Sequence, residues 1–197
     1  MKRDSKLQTI TIAALLSAIG IVIPMFCPKI VLEPASFTLA SHVPVFIAVF
    51  ISPVVAIAVS LVSAVGFLFA GFPLVVVLRA LSHLVFATIG ALILKKSPNA
   101  LQTMGKSALF GFFLSIIHAA CEVVVVTLFY FGNGMSKAYY AQGYVVSVLL
   151  LVGVGSVIHS MVDYSISMVV WKPLVNVITI PVSAKVLPSR RKPVSDQ

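Results

Sequence analysis

The chain has 197 residues, of which 60% are hydrophobic and only 10% charged, and its mean hydropathy is +1.12. A soluble domain averages about 45–50% apolar and about 25% charged residues, so a water-exposed fold is excluded: it would lack the polar surface to cover itself. The net charge of +9 does not point to nucleic acid, because the basic residues cluster at the two chain ends and in one internal connection.

In chain order, Lys2, Arg3 and Lys6 precede an apolar run from Leu7 to Ile23. This imitates a secretory signal, but cleaved signals end in a small-residue site, and here the run ends Ile23-Pro24-Met25-Phe26-Cys27. It reads as a retained first helix. Apolar segments predict helices over 8–23, 38–51, 53–70, 73–95, 104–131 and 144–172. Pro53 suits the first turn of the third, and Gly132-Asn133-Gly134 closes the fifth. Short-loop clusters of Lys and Arg mark the cytoplasmic side of a membrane. Lys95, Lys96 and Lys106, with Lys185, Arg190, Arg191 and Lys192, therefore share a side with the N-terminus. An even number of spans agrees with that placement. The expectation is an all-α, multi-pass protein of the cell membrane in contact with lipid. It is a bundle of six transmembrane helices with both termini cytoplasmic, in a single domain over 1–197 whose end, 186–197, is a solvated tail.

Two segments are left outside. Pro28–Phe37 is an apolar connection that either rests on lipid or folds over a cavity as a lid. Met135–Tyr144 carries Tyr139, Tyr140 and Tyr144, suited to an interfacial aromatic belt. Trp171 with Lys172 reads as an anchor at the inner interface. Cys27 and Cys121, far apart, make neither a disulfide framework nor a zinc signature.

Ionisable residues inside membrane helices are costly and mark functional sites. Here they occur in pairs four apart: Arg79 with His83, His118 with Glu122, and His159 with Asp163. Residues so spaced share a helix face, so each of the last three helices has one polar stripe. At about 1.5 Å rise per residue, Arg79 and Glu122 reach similar depth in the outer half, and His83 and His118 lie a turn deeper. His159 and Asp163 fall at or below the midplane. The pairs either lock the bundle together or converge as a polar pocket. His42 reads as an interfacial residue and Glu33 as a solvated loop charge. A metal is not expected: HExxH is absent, the spacings are common, and Arg79 would repel a cation. Gly105-Lys106-Ser107 imitates the end of a phosphate-binding loop, but Ala100 stands where its first glycine belongs. No cofactor is implied.

On the first helix, Ala14-Leu15-Leu16-Ser17-Ala18 is a small-x-x-x-small pattern, which permits close helix approach. This pattern, the long first outer loop and the polar residues of helices four to six resemble the substrate-binding S components of energy-coupling factor (ECF) vitamin transporters. The stretch from Ile30 to Pro44 is most similar to the niacin type. The resemblance implies a vitamin-binding subunit, not an enzyme, that works with a transmembrane coupling subunit and two cytoplasmic ATPases. It implies that Ala14 and Ala18 contact the coupling subunit, and that the first loop, with Glu33 and Phe37, gates the site. Arg79 would hold a carboxylate by two hydrogen bonds, with His83, His118, Glu122 and His159 as further substrate contacts. Folate or pantothenate would also offer carboxylates. An intramembrane metal-dependent enzyme using His118, Glu122, His159 and Asp163 is the rival reading; a secondary transporter with Asp163 as proton carrier is another.

Overall fold

In the computed structural model, residues 2–32, 35–177 and 182–184 are described. The architecture is a helical bundle with one β-hairpin. Helix α1 runs over Lys2–Phe26, and strands β1 (Lys29–Leu32) and β2 (Ala35–Thr38) follow as an antiparallel pair in which Lys29 faces Thr38 and Ile30 faces Phe37. Then come α2 (Val43–Ile51), α3 (Pro53–Phe69), α4 (Leu74–Lys96), α5 (Met104–Phe131) and the short α6 (Lys137–Ala141). Helix α7 spans Val145–Leu174, π-helical over Val145–Val154 and α-helical from Gly155 onward.

Four helices among the described residues are long and apolar enough to cross a membrane: α1 from Ser5, α4, α5 and α7. Their exposed faces carry large apolar side chains such as Leu15, Leu92, Leu109 and Val169, as lipid contact requires. Helix α3 is a shorter apolar helix of 17 residues. Helix α2 departs most from expectation. It starts at Val43 rather than 38 and has nine residues, all buried. At 1.5 Å per residue it is only about 13 Å long, too short to cross alone, and it runs through the centre of the bundle against α1, α3, α4 and α7. Its last carbonyls are not left open. The N–H groups of Ser183 and Ala184 donate to the oxygens of Ile51 and Phe50 at 2.9 Å each, so a distant segment completes the helix end.

Around α2 lies an aromatic core. Phe46 packs on Phe86 and Tyr164, and Phe50 on Tyr164 and Trp171. Trp171, expected at an interface, is instead fully buried. Local signals agree with several helix ends: Ser52 and Thr103 cap α3 and α5 by accepting from Val55 N and Lys106 N, and α5 stops at Gly132 with Asn133 left-handed at φ 56°.

Candidate functional site

Ahead of α2 the chain makes a tight turn at Leu39–His42, where Ala40 is left-handed at φ 66°. One carboxylate holds this turn. Asp163 of α7 accepts from the backbone N–H of Ala40 and of His42, each at 2.8 Å, and from His42 Nδ1 at 3.0 Å. Asp163 is fully buried, so these donors replace the water it has lost. One turn away, His159 Nε2 lies 3.0 Å from Ser41 Oγ. The His159–Asp163 pair read from the sequence thus grips the segment that starts α2.

The second pair docks on the first. Arg79 of α4 donates to Glu122 of α5 through Nε and Nη2, both at 3.0 Å, a forked ion pair. The Ser156 hydroxyl donates to the same carboxylate. His118 Nε2 is 3.4 Å from Glu122 Oε1 and His83 Nε2 is 4.0 Å away, both too long or too oblique to be hydrogen bonds. All four histidines of the chain meet. His42 sits at the centre, with ring centroids 4.8 Å from His83, 4.6 Å from His118 and 4.9 Å from His159.

These groups border a cavity of about 330 Å³, at the small end of ligand pockets. Arg79, His83, Glu122 and His159 line it, together with His42. His118 is fully buried and stands behind them. The stripes on α4, α5 and α7 therefore converge, and His159 reaches the same cavity as Arg79, higher than its expected depth. His42, read as an interfacial residue, is instead the hub. Its place depends on a contact with Asp163 across 121 residues of chain, which no local spacing reveals.

The connection after α1, expected to lie outside, is the β-hairpin, and it lies over the cavity. Lys29, Phe37 and Thr38 line the cavity, and Phe37 packs on His159 at 5.4 Å. Gly155 makes room: a Cβ there would come within 2.7 Å of the Phe37 ring. Glu33 lies outside the described residues. The Met135–Tyr144 segment turns toward the cavity as well. Tyr139 of α6 lines the cavity, and the Tyr140 hydroxyl donates to the carbonyl of Tyr130, so these tyrosines close over α5 rather than forming a lipid belt alone. Lys29, Phe37, Tyr139, His42 and Gly155 are the site features that helix periodicity did not supply. Ala14 and Ala18 are elsewhere, exposed on α1 beside Leu15 and Val22.

No protein-family model matches the chain, and no solved structure does. Among curated proteins, the niacin transporter NiaX of Lactococcus lactis subsp. cremoris (strain MG1363) is 41% identical over 167 residues, covering 84% of this chain and 74% of that one. That relative is a transporter, which sets aside the intramembrane enzyme. The chain belongs to the same family, the niacin-type S components.

Proposed function

We propose that this protein is the substrate-binding subunit of a vitamin importer and that its ligand is niacin. The observation that carries the reading is the single cavity into which Arg79, His42, His83, Glu122 and His159 converge under the Phe37 hairpin, in a chain related to a niacin transporter. Nicotinate is a flat aromatic ring with a carboxylate and a ring nitrogen. The cavity offers a counterpart to each. Glu122 occupies two of the five N–H donors of Arg79, which leaves the Nη1 side of the guanidinium for a carboxylate. Lys29, exposed and lining the cavity, adds a second cation. Phe37 and Phe67 supply apolar faces for the ring, and a histidine N–H can donate to its nitrogen. Glu33 and Phe37 act as the gate.

The same reading gives the topology: six spans, with the α2–α3 hairpin counted as two and residues 182–184 extending α2, and both termini cytoplasmic beside their basic clusters. Ala14 and Ala18 face outward on α1, where small side chains let a coupling subunit's helix approach, and two ATPases drive transport.

Calorimetric titration of the purified, detergent-solubilised protein with nicotinate and nicotinamide tests the assignment. Tight nicotinate binding that falls at least tenfold in Arg79→Ala is expected. Heat that survives the substitution would move the carboxylate to Lys29, and no heat with either compound in folded protein would sink the niacin reading.

A further inference from the structure

We propose that His42, His83 and His118 form a binding site for one divalent transition-metal ion of the zinc class, set between the cavity and the aromatic core. This goes beyond the vitamin assignment and does not depend on it. The three rings come from separate elements: the residue before α2, the middle of α4 and the middle of α5. They close a triangle whose centroids are 4.6, 4.8 and 4.9 Å apart. One ring nitrogen from each lies within 4.8 Å of the others.

The hydrogen bonding supports a ligand there. Asp163 accepts from His42 Nδ1, so in the neutral ring Nε2 is the nitrogen left to hold an ion. A carboxylate behind a histidine is the usual support of a metal-binding imidazole. His118 is fully buried, and neither of its ring nitrogens has a hydrogen-bond partner; the Nε2 of His83 has none either. Buried polar groups are rarely left so. A vitamin in the cavity does not satisfy His118, because His118 does not line it. An ion held between the three rings would use those nitrogens.

Charge does not oppose the ion. Arg79 is already countered by the two-pronged bond to Glu122, and Asp163 brings a further negative charge against His42. Imidazole suits zinc, copper or nickel, whereas magnesium and calcium prefer oxygen. Three histidines with one position left open is also the usual form of an accessible zinc site. His42 and His83 border the cavity, so the open position would be within reach of a bound carboxylate or ring nitrogen.

The test uses the full-length, tag-free protein in detergent, stripped with a chelator and titrated with zinc chloride, with cobalt(II) as the spectroscopic probe. One zinc per chain is expected, with the intense visible bands of four-coordinate cobalt. His118→Gln, or His83→Gln should the first fail to fold, should weaken zinc binding strongly. Asp163→Asn, which withdraws the carboxylate behind His42 and one acceptor of the Leu39–His42 turn, should weaken it roughly 10–100-fold in protein whose thermal unfolding shows it to be folded. No retained zinc, the pale spectrum of six-coordinate cobalt, or equal binding by the histidine variants would each overturn the proposal. Nicotinate titration of both the stripped and the zinc-loaded protein keeps the two readings apart. Binding of nicotinate to a chain that takes no zinc ends the metal site alone, and zinc binding without nicotinate ends the vitamin assignment alone.

Discussion

Helices α4, α5 and α7 each present two different chemistries along one inward face. Toward the cavity they place His83, His118 with Glu122, and His159 with Asp163; toward the closed end they place Phe86, Phe110 and Leu114, and Tyr164 with Trp171. Helix α2 joins the two halves, with His42 at its start, Phe46 in the middle and Phe50 near its end. The polar half leaves a cavity of about 330 Å³, and the apolar half is packed with rings 5.3–6.3 Å apart. The difference shows how a short bundle can open at one end only. Polar side chains repay their burial through specific partners, which keeps them apart from the apolar seal, and the seal gains from every contact without needing orientation.

The comparison is broken most severely at Glu122. Removing one partner of a buried ion pair leaves an uncompensated charge, which costs about 3–5 kcal/mol. Glu122→Leu should therefore strongly lower the thermal midpoint in detergent and remove ligand binding. The double variant Arg79→Met with Glu122→Leu should regain most of the stability, because well-packed apolar side chains replace such pairs at little cost, yet still bind no ligand. Recovery of binding in the double variant would mean that the pair is structural and lies outside the recognition chemistry.

At the closed end, Trp171→Ala should cost about 3–5 kcal/mol through the cavity it leaves. Unlike the Glu122 change, it should leave the affinity of the folded fraction within about twofold, since Trp171 touches Phe50 and does not line the cavity. Thermal unfolding followed beside calorimetry measures both quantities on one sample. A large loss of affinity at full folding would show that the two halves are one cooperative unit rather than a site resting on a seal.

The polar pairs were legible because helix geometry alone decides them: residues four apart share a face whatever surrounds them, so the stripes on α4, α5 and α7 followed from spacing. The features that escaped depend on distant partners. Apolar content does not distinguish a membrane span from a core helix, so 38–51 read as a crossing segment while its buried part covers Val43–Ile51. The hairpin escaped for a similar reason: Ile30 to Phe37 is apolar enough for lipid or for a lid, and only its seat over Gly155 and His159 distinguishes them. His42 is set by Asp163, and Trp171 by the aromatic rings above it.

The smallest expected effect is also the most local, and it lies where the two halves join. Ala40 is left-handed at φ 66°, a conformation that costs an L-residue about 1–2 kcal/mol and a glycine almost nothing. The two N–H bonds to Asp163 hold it there. Ala40→Gly removes the strain but also loosens the unfolded chain, which offsets part of the gain. A net stabilisation of about 0.5–1 kcal/mol is expected, with ligand affinity unchanged because the Asp163 bonds are to the backbone. The sign of the shift in thermal midpoint decides the point. A lower midpoint would mean that the turn relaxes out of the left-handed region, and that Asp163 positions His42 through the side chain rather than through the turn.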